Sequence, residues 1–349
     1  MRISLKLNSV IVAVAMALAL IAVPFAPRAE AIANPFAASG VDVAGHQHPG
    51  GNPIRWSTVA ADGQRYAFVK ATEGSDFTND FYAQDVEAAN DAGLLTGAYH
   101  YARPATDPRL QAAHFASVMA QAPETSLPPV LDIEVSEGLS PSQLSGWTRT
   151  FLTELKTLTG KTPMIYTYRY FWQVDMGNTS EFSEYPLWLA AYQNHAPNPV
   201  GGWDTVSFWQ RSGNGRVAGI DTPVDMNLFN GNDSQLNSFS AGNLASPGGV
   251  LETVQAPENP SLEVLGQDNT ALVAAIVAVG LGIVASPALQ EAAQSVGFDA
   301  EDASNITATV VEQIESGALP LDDLENMAVG NYTVGDLLIL LENANKAMR

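Results

Sequence analysis

The chain has 349 residues, a formal net charge of −21, 46% hydrophobic residues and no cysteine. This composition predicts a globular protein with a substantial core, and the length suggests two domains or one large barrel with an appendage. The acidic balance and the lack of a basic stripe argue against nucleic acid as a partner. Without cysteine, disulfides and thiolate nucleophiles are excluded.

The N-terminus has the order of a secretory signal peptide. Arg2 and Lys6 precede an apolar run at residues 10–23, and small-residue cleavage motifs follow at residues 29–33. A retained membrane anchor is the alternative, but 14 residues are short for a membrane span. We therefore expect cleavage after Ala33, with a mature protein that is secreted or associated with the cell wall.

A change in composition divides the rest of the chain. All six tryptophans lie between Trp56 and Trp209, whereas residues 250–349 have fifteen acidic and two basic residues, a net charge of −13. A stretch rich in Gly, Pro and Ser marks the boundary between the tryptophan-containing region and this acidic region. This pattern predicts a barrel domain over 37–235, a linker over 236–262 and a small acidic domain over 263–349.

The acidic domain is predicted to be helical. Residues 305–315 and 332–348 have apolar side chains at helical spacing, and residues 271–285 form an apolar stretch that is short for a membrane span. The sequence leaves three roles open for this domain: binding an unidentified protein, anchoring at the cell envelope, or masking the first domain.

The first domain contains eight short strand-like segments, at residues 40–44, 66–71, 97–102, 129–135, 163–168, 187–192, 205–210 and 223–229. Helical patterns separate the earlier segments, at residues 79–92, 107–121 and 140–159. Strands that alternate with helices are typical of a parallel sheet. The predicted fold is therefore an α/β protein with a (β/α) barrel whose last three strands lack full helices.

Acidic residues mark the predicted strand ends, where barrel active sites lie. Asp132 and Glu134 are two residues apart on one strand and therefore face the same side. Asp42 lies on the first strand and Asp225 on the last, and these strands become neighbours when a barrel closes. Mutual repulsion in such a group raises the pKa of at least one carboxyl, as a general acid requires. Two unrelated structural ion pairs are the alternative for Asp132 and Glu134.

Aromatic residues surround the same strand ends. They are Tyr99, Tyr101, Tyr166, Tyr168, Trp188, Tyr192 and Trp209. Aromatic faces beside carboxylates suit a sugar ring, although ordinary barrel core is the alternative. His46 and His48 are predicted to be surface loop histidines, because no third ligand with metal-site spacing accompanies them.

Several short motifs carry a resemblance to a known family. In chain order they are Gly40-Val41-Asp42-Val43 with Gln47 and Trp56, Phe68-Val69-Lys70-Ala71-Thr72-Glu73-Gly74, Gly97-Ala98-Tyr99-His100-Tyr101, Val130-Leu131-Asp132-Ile133-Glu134, Met164-Ile165-Tyr166-Thr167, Leu187-Trp188-Leu189-Ala190, Phe208-Trp209-Gln210 and Val224-Asp225-Met226-Asn227. Over residues 38–232 the chain resembles the glycoside hydrolase family 25 lysozymes, the Chalaropsis-type muramidases. The segment after residue 250 shares nothing with that family.

The resemblance implies hydrolysis of the β-1,4 bond between N-acetylmuramic acid and N-acetylglucosamine in peptidoglycan. It implies that Glu134 is the general acid, that Asp132 orients or stabilises the acetamido group of the substrate, and that Asp42 and Asp225 are the other two acidic site positions. It makes Tyr99, Tyr166, Trp188 and Gln210 candidates for sugar contacts. No metal or other cofactor is implied.

Two mechanisms are open at this stage. The acetamido oxygen can attack the anomeric carbon with retention, which the Asp132–Glu134 spacing favours, or a carboxylate can activate water with inversion. A non-catalytic peptidoglycan-binding module and a hydrolase of another amino-sugar polymer, such as chitin, are alternative functions. The loop at residues 46–53 departs from the family pattern and is expected to border the groove.

Overall fold

A computed structural model describes residues 37–251 except 193–195 and 246, together with isolated positions between 287 and 339. Eight strands form a closed barrel: β1 (Ser39–Val43), β2 (Tyr66–Glu73), β4 (Leu95–Tyr101), β5 (Val130–Asp132), β6 (Met164–Tyr168), β7 (Leu187–Ala190), β8 (Phe208–Gly215) and β9 (Val224–Phe229). A two-residue strand, β3 (Phe77–Thr78), pairs with the end of β2. The ring closes because β1 pairs with both β2 and β9. The predicted barrel is thereby confirmed.

The last strand of the barrel is antiparallel to its neighbours. From β1 through β8, each pairing between neighbouring barrel strands is parallel, but β9 is antiparallel to both β8 and β1. The prediction of a wholly parallel sheet was therefore wrong for this strand. Residues 216–223 connect β8 to β9, and a parallel crossover needs about a dozen residues or more. The N-terminal end of β9 consequently lies with the C-terminal ends of the other barrel strands.

The described helices of the barrel domain are α1 (Trp56–Ala61), α2 (Tyr82–Asp91), α3 (Pro108–Ala120), α4 (Pro141–Thr159), α5 (Arg169–Val174) and α6 (Asp233–Ser240). The three longest match the three predicted helices. Asp107 caps α3 by accepting the backbone N–H of Arg109, and Gly160 ends α4 with φ of 70°. In the connections between β6 and β9, the only α-helix among the described residues is the six-residue α5. The prediction that the last strands lack full helices is confirmed.

Two glycines allow large rings to fill the barrel below its mouth. A Cβ atom at Gly97 would lie 2.3 Å from the ring of Phe68, and one at Gly40 would lie 2.4 Å from the ring of Tyr66. The Phe68 ring stacks on Trp188 with a centroid distance of 4.5 Å. The resulting aromatic layer is the floor on which the polar groups of the mouth lie.

Packed structure continues past residue 235, where the sequence predicts the linker to begin. Helix α6 crosses this position and buries Leu236 and Phe239. Farther along, the Oδ1 atom of Asn230 accepts the backbone N–H groups of Val250 and Leu251, and the Leu251 side chain is buried. Residues 236–245 and 247–251 therefore fold with the barrel.

The tail contains a strand pair that the sequence did not predict. Strand β10 (Ala328–Val329) pairs antiparallel with β11 (Tyr332–Thr333), so the helix predicted to begin at residue 332 was wrong at its start. The predicted signal peptide, the apolar stretch at 271–285 and most of the 305–315 helix lie outside the described residues. Within the part of the chain that is described, no helix is long and apolar enough to cross a membrane.

Candidate active site

The four predicted acids meet at one end of the barrel. Asp42 and Asp225 are directly paired across β1 and β9. Asp132 is the last residue of β5 and Glu134 follows two residues later, with exposed fractions of only 4% and 3%. Burial, and then the charges of all four carboxylates, raise the pKa of the Tyr99 phenol well above its usual value. One phenol is therefore within electrostatic reach of all four acids.

Glu134 follows a strand instead of lying on one. Strand β5 ends at Asp132, so it is shorter than the strand predicted at residues 129–135. The extended course nevertheless continues, since the Ile133 N–H donates to the Tyr166 carbonyl at 3.0 Å and the Ile133 side chain is fully buried. With Ile133 packed in the core, Asp132 and Glu134 keep the alternation that the sequence predicts.

A strained loop holds the chain just after Glu134. Glu137 has φ of 44°, an unusual conformation for a residue other than glycine. Its carboxylate accepts the Ala105 N–H at 2.7 Å and lies 3.3 Å from the Arg103 guanidinium. Arg103 also pairs with Glu73 at 2.6 Å. These contacts tie the Glu134 loop to the ends of β2 and β4.

Two amides hold Asp42 from below. The side-chain N–H groups of Gln210 and Asn227 both donate to Asp42 Oδ2, at 3.0 Å and 2.6 Å. Tyr166 donates its hydroxyl to the Gln210 carbonyl at 2.8 Å, and Trp188 Nε1 donates to the Asn227 carbonyl at 2.8 Å. Asn227 belongs to the motif at residues 224–227, but the sequence alone predicted no role for it. Its position two residues after Asp225, on the same face of β9, could have indicated that its side chain also points into the acidic site.

The predicted sugar contacts differ in accessibility. Tyr99 is partly exposed, whereas Tyr166, Trp188 and Gln210 are buried and hydrogen-bonded as described above. Trp188 lies edge-to-face with Tyr166 at 4.6 Å and with Tyr99 at 6.5 Å. The three buried residues form the wall and floor of the mouth, and their contact with a sugar stays a prediction.

The other aromatic residues of the predicted ring serve different parts of the barrel. Trp209 is buried and donates its Nε1–H to the Ala191 carbonyl at 2.7 Å. Tyr168 is buried against Phe171. Tyr101 lies beneath the cationic groups of Lys70 and Arg103, 5.1 Å and 5.2 Å from its ring centre. This last cluster lies at the ends of β2 and β4, beside the half-exposed Phe77.

His48 is a buried residue, and its prediction as a surface histidine was wrong. Its Nε2 lies 2.8 Å from Asp85 Oδ2, and its Nδ1 lies 2.9 Å from the Asn52 carbonyl. Trp56 donates its Nε1–H to the other oxygen of Asp85 at 3.0 Å, and the imidazole stacks on Phe81 at 3.8 Å. Helix α2 supplies the buried carboxylate, and the preceding residue Phe81 supplies the ring.

The loop that carries His48 also reaches the strand of Asp225. Gln47 accepts the Ala44 N–H at 2.9 Å and donates to the Pro223 carbonyl at 3.1 Å, immediately before β9. The expected position of this loop beside the acidic mouth therefore agrees with its contacts. Among the residues that the structure describes, no group of three His, Asp or Glu side chains could hold a metal ion.

Known proteins share both the sequence and the fold of the barrel. Residues 41–220 match the family model of the glycosyl hydrolases family 25. Lysozyme M1 of Streptomyces globisporus is 36% identical over 207 residues, which are 56% of this chain and 69% of that protein. The N,O-diacetylmuramidase of Arthroderma benhamiae is 31% identical over 226 residues, which are 62% of this chain and 92% of that protein.

Solved structures agree with this assignment. The bacterial lysozyme from Streptomyces coelicolor superposes with a TM-score of 0.53 at 34% identity, over 58% of this chain and 96% of that one. The family GH25 lysozyme from Aspergillus fumigatus gives a TM-score of 0.52 at 30% identity, over 59% of this chain and all of that one. The matched half of the sequence, the closed barrel and the acidic mouth thus agree, and the chain belongs to glycosyl hydrolase family 25.

Proposed function

We propose that this glycoside hydrolase is a secreted lysozyme that cleaves the β-1,4 bond between N-acetylmuramic acid and N-acetylglucosamine in peptidoglycan. The observation that carries the proposal is the set of four carboxylates around Tyr99 at the mouth of the barrel. The named activities of the related lysozyme and N,O-diacetylmuramidase support the substrate. Secretion rests on the N-terminal sequence pattern alone.

Glu134 is the proton donor in this proposal. It is buried beside Asp132, and burial with neighbouring negative charge favours the protonated form of a carboxyl. The loop contacts of Glu137 fix the chain beyond it, so the donor is held in place before the substrate arrives. Proton transfer of this kind contributes about 10²–10⁴-fold to a rate.

The proposed cleavage uses the substrate's own acetamido group, the carboxyl groups of Glu134 and Asp132, and one water molecule. The oxygen of the substrate's own acetamido group forms a bond to the anomeric carbon, the glycosidic bond breaks, and the Glu134 proton moves to the leaving oxygen. Asp132 holds the acetamido group and supports the positive charge that develops on it. Water then attacks the anomeric carbon and gives one proton to Glu134, while the bond to the acetamido oxygen breaks and the free acetamido group is restored, so the configuration is retained.

The test is digestion of purified peptidoglycan and of chitin, side by side, with the products analysed by mass spectrometry. The proposal predicts new reducing ends from peptidoglycan that carry N-acetylmuramic acid, and slower or no release from chitin. Proton NMR of the first-formed product should show the β-anomer. Faster cleavage of chitin, or reducing ends that carry N-acetylglucosamine, would contradict the substrate or the bond. Binding to peptidoglycan without cleavage would contradict catalysis.

A further inference from the structure

The direction of the Asn227 amide is fixed by its neighbours. Trp188 Nε1 is a donor only, so the atom of Asn227 that faces it at 2.8 Å must be the carbonyl oxygen. The NH₂ group of Asn227 is therefore the atom that lies 2.6 Å from Asp42 Oδ2. Asn227 is fully buried, so the side chain has no solvent to which it could turn.

Gln210 presents a second donor to the same oxygen. Its NH₂ group lies 3.0 Å from Asp42 Oδ2, while its carbonyl accepts the Tyr166 hydroxyl. Because Oδ2 accepts both N–H groups, a proton could not be placed on that oxygen without the loss of one of these hydrogen bonds. Hydrogen bonds from such donors favour the ionised form of a carboxyl.

We propose that Asn227 and Gln210 are positioning residues that keep Asp42 ionised within the four-acid group. The proton that this group retains is then available to Glu134. This inference rests on the proposed function only for its catalytic consequence. An ionised Asp42 has no proton to donate, so it does not compete with Glu134 as the proton donor. Its negative charge also stabilises the positive charge that develops on the sugar.

The surroundings of Asp42 favour one retained proton. The titratable and charged groups near it include Tyr66 on β2, Tyr99 on β4, Asp132 and Glu134 at the end of β5, and Asp225 on β9, together with Tyr166, which contacts Gln210, and Arg211, which acts on Tyr66. Burial, and then the charge of Asp42, raise the pKa of Tyr66 and Tyr99, so both phenols stay neutral. Mutual repulsion within a group of neighbouring carboxylates favours the retention of a proton by the group, and the two amide donors disfavour a proton on Asp42.

The direct test measures the carboxyl itself, without substrate. The full-length protein is labelled with ¹³C at the aspartate and glutamate carboxyl carbons and titrated by NMR, and the Asp42 signal is assigned by its loss in Asp42→Asn. We expect Asp42 to titrate at the lowest pH of the four acids. A signal that shows Asp42 protonated at pH 6 would overturn the inference, even if the enzyme cleaves peptidoglycan. A wild-type protein that does not cleave peptidoglycan would refute the proposed function and leave this titration decisive for the inference.

The kinetic test uses two buried variants. Asn227→Asp keeps the shape of the side chain and the acceptor for Trp188, but places a second carboxylate oxygen about 2.6 Å from that of Asp42. The two oxygens would share a proton, so kcat/KM on peptidoglycan should fall about 100-fold near pH 6 and recover by at least about tenfold as the pH rises. Gln210→Met removes one donor without adding an acid, and should move the acidic limb of the pH profile upward by about one unit.

A merely structural role gives a different result. Damage to the fold would lower activity by the same factor at every pH and would lower the midpoint of thermal unfolding followed by tryptophan fluorescence. An unchanged profile shape in both variants, with folding intact, would contradict the inference. If Asn227→Asp does not fold, the Gln210→Met profile and the wild-type titration still decide the question.

Discussion

The aromatic floor of the barrel depends on the absence of a side chain at Gly97. A Cβ atom there would lie 2.3 Å and 2.4 Å from two ring carbons of Phe68, whereas carbon atoms in ordinary contact are about 3.5–4.0 Å apart. Gly97→Ala therefore forces the Phe68 ring to move by more than about 1 Å. The ring has little room, because it stacks on Trp188 at 4.5 Å and meets Phe208 edge-to-face at 5.2 Å.

Overpacking of this kind costs about 1–3 kcal/mol of the free energy of unfolding. For a domain of this size, the loss corresponds to a fall of roughly 2–12 °C in Tm. Trp188, which also contacts Phe68, donates to Asn227 in the mouth, so we expect activity to fall together with stability.

Urea unfolding followed by tryptophan fluorescence measures this loss cleanly. All six tryptophans lie between residues 56 and 209, so the signal reports on the barrel and not on the acidic tail. Gly146→Ala in α4 is the matched control, because a Cβ atom at Gly146 meets nothing within 4 Å. In a helix this change should stabilise by up to about 1 kcal/mol. A Gly97→Ala protein as stable as the wild type would refute the packing argument.

Two further predictions concern buried or paired charges. Asp85→Ala removes the hydrogen-bond partner of both His48 and Trp56, and should cost about 1–3 kcal/mol of stability for each buried group left without a partner. Asp85→Asn should cost less than about 1 kcal/mol, because its NH₂ can still bond to the imidazole while its carbonyl accepts the Trp56 N–H. Equal losses in the two variants would contradict the hydrogen-bond assignment. Burial alone would raise the pKa of Glu73, but its ion pairs outweigh this effect and its pKa lies below the usual value. The ionised form therefore stabilises the fold above about pH 5, and this contribution is lost as the pH falls through the lowered pKa. Glu73→Gln should accordingly cost about 1 kcal/mol at pH 7, by loss of the pairs with Lys70 and Arg103, and clearly less near pH 3. A stability difference from the wild type that does not change between these pH values in urea titrations would contradict this linkage.

The barrel and the meeting of Asp42 with Asp225 were predictable from local patterns. Short apolar segments alternate with capped helices, and ring closure makes the first and last strands neighbours. The direction of β9 was not predicted, although the short connection after Gly215 was visible in the sequence. The pairing of the two acids does not depend on this error, because residue 225 is near the beginning of a strand that enters at the mouth.

Features that depend on distant partners were beyond sequence patterns. His48 is buried because Asp85, 37 residues away, supplies a carboxylate for it, and a loop sequence rich in His, Pro and Gly gives no sign of that partner. Likewise Asn227 matters through Trp188 and Asp42, which are 39 and 185 residues away. The tail was predicted to be helical from its spacing, and the strand pair at Ala328–Val329 and Tyr332–Thr333 shows that spacing alone does not decide its structure.

The role of Glu134 as the proton donor is the claim on which the proposed chemistry depends most. The measurement is the initial rate of reducing-end release from purified peptidoglycan by the wild type, Glu134→Gln and a matched Glu124→Gln variant, whose carboxylate is largely exposed and has a weak 3.4 Å contact with Lys161. We expect Glu134→Gln to lose about 10²–10⁴-fold in rate with its thermal stability unchanged or increased, and Glu124→Gln to match the wild type. A folded Glu134→Gln protein that cleaves peptidoglycan at the wild-type rate would contradict the account.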